Sequence, residues 1–294
     1  MNILRKLASG QILPSRVPER IYLAAKQFHF AKSRIPLDWD DTDNWGDKLN
    51  PYLVEKLTGK QSFNPYFNDW LRYFVIGSIL DRADKNSVIW GSGFISANSR
   101  PSGAPNKIHA VRGPLTRDIF VREGIDCPSI FGDPAILLKI YFPVRKDCKY
   151  EFGIIPHFMD KDSTWIQRQS EKYGDRVLLI DIEESIESFI EAVCSCKYIF
   201  SSSLHGLICA DTYGIPSIRI VLGEKVTGGD FKFNDYRLGL DAKPHTPIDV
   251  RITNRPLHEL VEFSSLANAE ISAKTLLATC PFLPQDETHI SYEG

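Results

Sequence analysis

Six short apolar runs rich in β-branched and aromatic residues punctuate the chain, at 87–93 ("SVIWGSG"), 107–113 ("KIHAVRG"), 151–157 ("EFGIIPH"), 176–182 ("RVLLIDI"), 197–203 ("KYIFSSS") and 217–223 ("SIRIVLG"). Runs of this length and composition read as strands buried on both faces. Segments of helical period lie between them. "GPLTRDIFVREG" places Pro114 in a first helical turn and Gly124 at its stop, and "ESIESFIEAVCSC" alternates charged and apolar positions at helical spacing. Strands alternating with helices imply an α/β fold with parallel sheets covered on both faces.

With 294 residues, 43% of them hydrophobic, the chain can bury core enough for two domains. The least apolar join is "YFPVRKDCKYE" (141–151), where Pro143 and a charge cluster separate two α/β halves. The expected division is therefore 1–145 and 146–294. The final stretch, 281–294, is polar and is expected to fray.

A formal net charge of -2 gives no global footprint for nucleic acid, which is not expected as a partner. The six cysteines are scattered, with no CxxC pair and no HExxH, so no metal site is expected. Cys194 and Cys196 are too close for an ordinary disulfide and read as packing at a helix end. The leader 1–34 carries Arg5, Lys6, Arg16, Arg20, Lys26, Lys32 and Arg34 against the single acid Glu19, and these cations interrupt any signal-like apolar core. It reads as a solvated leader and surface helix, or as a peripheral dock for an anionic membrane, where a lipid-linked substrate would be found. A soluble protein of the reducing cytoplasm is expected, at the inner membrane face if the leader docks there.

In open α/β sheets, ligands bind beyond the carboxyl ends of the strands. The residues just after each apolar run are therefore the candidates. In "DTDNWGDKLNP" (41–51), Gly46 would let backbone approach a ligand while Asp47 faces the cleft; Asn44 reads equally as a helix cap. "VIWGSGFIS" (88–96) imitates a dinucleotide fingerprint, but it runs on into loop residues rather than a helix, so no nicotinamide cofactor is expected. Gly91 and Gly93 read instead as points of close approach to a bound anion or to the other domain. Arg112, ending a run ahead of a proline-started helix, suits a carboxylate or phosphate, or else a surface ion pair. Asp133, before Pro134, reads foremost as a cap, with a place in the cleft as the lesser reading.

The second half repeats the arrangement. His157 follows its strand directly, where a neutral imidazole would bind an acceptor hydroxyl or take its proton, or simply bond across the cleft. "KYIFSSSLHGLICADTYGIPSIRI" reads as strand, serine elbow, helix from about Leu204 to Tyr213, turn and strand. His205 then stands at a helix start, among serine hydroxyls and unsatisfied amides, as a titratable group in an anion site. In "GGDFKFNDYRLGLD" (228–241), Lys232 and Asp235 follow a glycine pair, as a loop that closes over a charged ligand or as a plain surface turn.

In order, "NWGDKLNP", "VIWGSG", "VRGPLT", "GDPAILL", "SSLHGLICADTYGIPSI" and "FKFNDY" resemble the polysaccharide pyruvyl transferase family over about 200 residues. The resemblance implies two Rossmann-like domains facing a cleft, as in GT-B glycosyltransferases. It also implies transfer of the enolpyruvyl unit of phosphoenolpyruvate, a co-substrate rather than a bound cofactor, to a sugar of a glycan or exopolysaccharide precursor, as a cyclic pyruvate ketal. By this analogy Arg112, Leu204 and His205 match donor-binding positions, and the donor side is expected in the C-terminal domain with the acceptor side in the N-terminal one. Some members have an arginine where this chain has Ser203, so the phosphate needs another cation, for which Lys232 is the candidate. His205 would donate to the phosphate or deliver the proton to C3, and Asp47 or His157 would take the acceptor's proton; no metal is required. A nucleotide-sugar glycosyltransferase on the same scaffold, with Glu183 or Glu184 on a ribose, and a non-catalytic binding homologue are the alternatives.

Overall fold

A computed structural model describes residues 19–67, 69–223, 228–253 and 255–283. Leader residues Arg5, Lys6 and Arg16, and the tail beyond residue 283, lie outside the described residues. Every strand pairing between the named strands is parallel. In the first half, β1 (Ile35–Pro36) pairs with β2 (Ser62–Phe63), and β3 (Arg72–Phe74), β4 (Ser87–Trp90) and β5 (Lys107–Ala110) form a three-stranded sheet. Single bridges, Leu37 to Tyr73 and Val111 to Phe131, join the pair to that sheet and extend its far edge. The resulting order is β2-β1-β3-β4-β5.

The second half forms a five-stranded sheet from β6 (Tyr150–Ile155), β7 (Val177–Leu179), β8 (Cys196–Ser201), β9 (Ser217–Val221) and β10 (Ile248–Asp249), in the order β10-β9-β8-β6-β7. Counted within each half, both sheets follow the doubly wound order 2-1-3-4-5, in which the direction of winding reverses between the first and third strands. The loops after those strands are where a ligand crevice forms. The structure is thus α/β and of Rossmann-like type.

Alternation along each strand sorts the core. Ile89 faces one cluster with Phe74, Phe94 and Phe120, whereas Trp90 faces the opposite one. Phe152, Ile154, Phe200 and Ile218 pack with Trp165 and Leu257, whereas Ile155 and Ile199 join the same cluster as Trp90. The two halves therefore share one apolar core between their sheets. Two helices stitch it. In α2 (Trp45–Thr58), which follows α1 (Glu19–Phe30), the Trp45 amide donates to Ile182 O at 2.8 Å and its indole N–H to Ile186 O at 3.2 Å. The last helix (Glu270–Ala278) returns to the first sheet, where Leu276 O accepts from the Trp90 indole at 3.0 Å.

The segment 142–149 joins the two sheets' segments without strand or helix. It is tied down rather than loose. Phe142 O accepts from the Tyr213 hydroxyl at 2.8 Å, and the Lys146 ammonium donates to Gly214 O at 2.6 Å. Cys194 ends its helix and Cys196 begins β8, both buried and free, as expected of packing residues. No helix of the described residues is long and apolar enough to cross a membrane.

Candidate active site

The site is built where α2 meets the loop after β8. Asn44 is the N-cap of α2, its side-chain oxygen accepting from the Gly46 amide at 2.9 Å. The capping alternative thus holds for Asn44. Capping fixes the first turn, and the space above Gly46 is taken by a side chain rather than by backbone or ligand. A Cβ at position 46 would lie 1.9 Å from His205 Nδ1. The imidazole therefore lies directly against the glycine, with the Trp45 ring centroid 6.5 Å away and the Phe189 ring tilted against Trp45 at 4.7 Å.

From the other side, β8 ends in Ser201 and the helix Leu204–Thr212 starts at once, as expected. The serine elbow is largely committed to its own turn. Ser201 Oγ accepts from the Ser203 amide at 3.0 Å and lies 2.9 Å from Ser203 O, while Ser202 Oγ accepts from the His157 amide at 2.8 Å. Ser203 stands at the N-cap without a side-chain capping bond, so the first amides of the helix are unengaged by a cap.

His205 Nε2 is buried and has no hydrogen-bond partner among the described residues. Burial pushes its pKa down to about 3, assisted by the positive charges of Lys232 and Arg112. The ring is neutral at pH 7. Lys232, on the helix Phe231–Gly239, has no ion-pair partner among the described residues, and burial together with Arg112 and Arg219 brings its pKa down to about 8 against the opposing pull of Asp47. Asp47 accepts from the Thr42 hydroxyl, and burial raises its carboxyl to about 6, with Asp40 adding to the rise. His157 is also shifted down, by burial and by Lys232. It caps the turn Phe158–Asp160, Nδ1 accepting from the Met159 amide at 3.4 Å. Asp47, His157 and His205, from three separate segments, thus each feel the charge of Lys232, which comes from a fourth.

Other expected site residues stand elsewhere. Arg112 is fully buried and wholly engaged, donating to Asp235 at 3.0 Å, to the Ser78 hydroxyl at 2.6 Å and to Phe94 O at 2.6 Å. Asp235 accepts in addition from the Thr116 amide at 2.9 Å and the Thr116 hydroxyl at 2.7 Å. The pair is neither a surface salt bridge nor an open ligand set. It clamps the helix Pro114–Arg122 to the helix Phe231–Gly239, and Asp235 lies on that helix rather than on a loop or turn. Arg112 reaches the site through its field on His205 and Lys232.

Gly91 and Gly93 also differ from expectation. A Cβ on Gly91, at φ +99°, would meet Pro134 at 2.2 Å, and one on Gly93 would meet the Arg112 guanidinium at 2.4 Å. They make room for neighbours within their own half, not for an anion or the other half. Asp133 caps the turn Pro134–Leu137, accepting from the Ala135 amide at 3.0 Å, while its Oδ2 is buried without a partner. Burial raises its carboxyl to about 6. Glu183, read as a ribose contact in the glycosyltransferase alternative, is engaged by Lys161.

Two contributors were not singled out from the sequence. Trp45 seals the histidine, and Asn50 pins the backbone after β3, its side chain accepting from the Ile76 amide at 2.9 Å and donating to Ile76 O at 3.1 Å. An asparagine inside an otherwise apolar helix face was the available signal.

The profile of the polysaccharide pyruvyl transferase family matches residues 46–223, from the glycine under His205 to just past β9. Among curated proteins, the uncharacterized protein L143 of Acanthamoeba polyphaga mimivirus is 35% identical over 251 residues, covering 80% of this chain and 84% of the relative. The succinoglycan biosynthesis protein ExoV of Rhizobium meliloti (strain 1021) is 26% identical over 229 residues, covering 74% of this chain and 69% of the relative. The chain belongs to the polysaccharide pyruvyl transferase family, whose general activity is transfer of a pyruvyl group to a polysaccharide.

Proposed function

We propose that the protein moves the enolpyruvyl unit of phosphoenolpyruvate onto two hydroxyls of a glycan sugar, closing a cyclic ketal and releasing phosphate. The observation that carries this reading is the unpartnered His205 imidazole at a helix start, under the charge of Lys232, which also acts on Asp47. In balance, one sugar hydroxyl bonds to C2 of the donor while C3 gains a proton. The second hydroxyl then bonds to C2, the C2–O bond to phosphate breaks, and one further proton leaves the acceptor.

Each residue has a part consistent with its surroundings. Asp47, with its carboxyl near 6, is ionised at pH 7 yet basic enough to take the first hydroxyl's proton, and His157 serves as the second acceptor-side base. His205, neutral in the free protein, offers a hydrogen bond to the donor, whose negative charge raises the imidazole's pKa and lets it carry a proton to C3 or to the leaving phosphate. Lys232, the Ser203 hydroxyl and the amides from Leu204 onward balance the donor's charge. Arg112 holds this geometry from behind. No cofactor enters besides the co-substrate.

We place the acceptor side in the first half and the donor side in the second, as two Rossmann-like domains of GT-B type; the repeated 2-1-3-4-5 strand order supports this reading. The protein would work in the cytoplasm, with α1 against the inner membrane face and a lipid-linked acceptor. The cations that follow α1 sit beside aromatic rings of its last turn, Lys32 at 4.8 Å from Phe28 and Arg34 at 4.3 Å from Phe30, a pairing suited to an anionic headgroup layer.

Calorimetric titration with phosphoenolpyruvate, with uridine diphosphate sugars as controls, tests the reading in wild type and His205→Ala. Binding of phosphoenolpyruvate alone, weakened in the variant, is expected. Binding of a nucleotide sugar alone would sink the pyruvyl donor and leave the glycosyltransferase alternative.

A further inference from the structure

β9 carries a charge inside an apolar run, Arg219 in "SIRIV". The Arg219 side chain is 5% exposed, its guanidinium carbon stands 3.8 Å from the Phe233 ring centroid, and Nη2 donates to Asp230 Oδ1 at 2.6 Å. Nη1 is buried with no hydrogen-bond partner among the described residues. A guanidinium does not shed its proton, so a buried N–H left unmade carries a penalty that neutralisation cannot relieve.

Arg219 lines a recess of about 290 Å³ together with Ser202, Gly223, Gly229, Asp230 and Arg251. Ser202 follows β8 and Gly223 follows β9, so the recess opens beyond the carboxyl ends of adjacent parallel strands. It adjoins the candidate active site, because the Ser202 hydroxyl is also the acceptor for the His157 amide. Among the described residues that line it, the one carboxylate is Asp230, whose side chain is 55% exposed and so can turn into water when an anion takes its place on Arg219. Arg251, engaged by Asp249 at 2.6 Å, adds a second guanidinium to the wall.

We infer that this recess is a phosphate site whose principal cation is Arg219, and that it receives the phosphoryl group of the donor. The identity of the donor rests on the function proposed above; the phosphate site does not. A phosphoryl group presents several oxygens to the planar guanidinium fork, which takes them bidentately, and its double negative charge outbids a single exposed carboxylate.

The test is calorimetric titration of wild type, Arg219→Gln and Asp230→Asn with inorganic phosphate, phosphoenolpyruvate and uridine diphosphate. Phosphate and phosphoenolpyruvate should bind wild type, bind Arg219→Gln about tenfold more weakly, the loss of one charge-assisted hydrogen bond, and bind Asp230→Asn more tightly. The two variants move in opposite directions, and Asp230 is exposed, so a folding defect in Arg219→Gln would not remove the test. Equal affinities in all three proteins, with phosphoenolpyruvate bound, would overturn the phosphate site and leave the donor reading standing. Phosphate binding lost in Arg219→Gln, without phosphoenolpyruvate binding to wild type, would uphold the site and overturn the donor. Uridine diphosphate bound in place of phosphoenolpyruvate, and lost in Arg219→Gln, would uphold the site for a nucleotide. No binding of any of the three would overturn both.

Discussion

Removing the carboxylate of Asp235 is the sharpest probe of how the halves are held. Both members of the Arg112–Asp235 pair are fully buried, at an N···O distance of 3.0 Å. Asp235→Ala would leave the guanidinium with its Ser78 and Phe94 bonds but no counter-charge, and would strip the Thr116 amide and hydroxyl of their acceptor. Breaking a buried pair from one side costs about 3–5 kcal/mol. Against a net stability of about 5–15 kcal/mol, that is a large share. At roughly 2–4 °C per kcal/mol the midpoint should fall by about 6–20 °C. Urea unfolding followed by tryptophan fluorescence measures the loss, and the Arg112→Met, Asp235→Leu double variant should lose less than the two single changes summed. A loss under about 1 kcal/mol in Asp235→Ala would refute the reasoning. So would Arg112→Lys abolishing phosphoenolpyruvate binding at unchanged stability, since Arg112 would then be a direct donor ligand.

Three further changes test the site. Gly46→Ala puts a methyl 1.9 Å from His205 Nδ1, an overpacking that should cost about 1–3 kcal/mol and weaken donor binding; adding His205→Ala should restore stability but not binding, and a fully stable single variant would refute the contact. The Asp47 carboxyl, raised to about 6 in the fold from its ordinary 3.8, binds an extra proton in the native state, so its contribution to stability is present below about 4 and lost as pH rises through 6. Asp47→Asn should therefore make stability rise more with pH across that window, as read by urea midpoints, and an unchanged slope would count against the shift. Lys232, at about 8 in the free protein, should take up a proton when an anion binds at pH 8.5 but not at pH 7, detectable as a buffer-dependent binding enthalpy that Lys232→Met removes.

The strands of the sheet centres were legible because burial on both faces leaves a continuous apolar run, as in β6 and β8. The short strands β1, β2 and β10 carry two residues each, too few for any period. The helix Phe231–Gly239 escaped for a different reason. Its buried positions include Asp235 and Arg237 beside Phe233 and Tyr236, so the face that packs inward is half charged and shows no apolar stripe. Those charges are buried because their partners, Arg112 and Asp211, come from distant segments, and a single sequence gives no sign of a pairing across 123 residues.

The same reasoning separates what a glycine reveals from what it conceals. Gly46, Gly91 and Gly93 each announce a close approach, and each has one, but the approaching groups are His205, Pro134 and Arg112 rather than a ligand or, for the last two, the opposite half. His205 was legible as a site residue from its place at a strand-to-helix elbow, a local property. That it rests on Gly46, 159 positions earlier in the chain, is not local. Because Gly46 and His205 come from opposite halves, an opening between the halves would lift the imidazole from its seat and expose the ring to water at Nδ1, which would raise its pKa back toward the ordinary range. The depressed pKa of His205 thus depends on the contact between the halves and not on the second half alone.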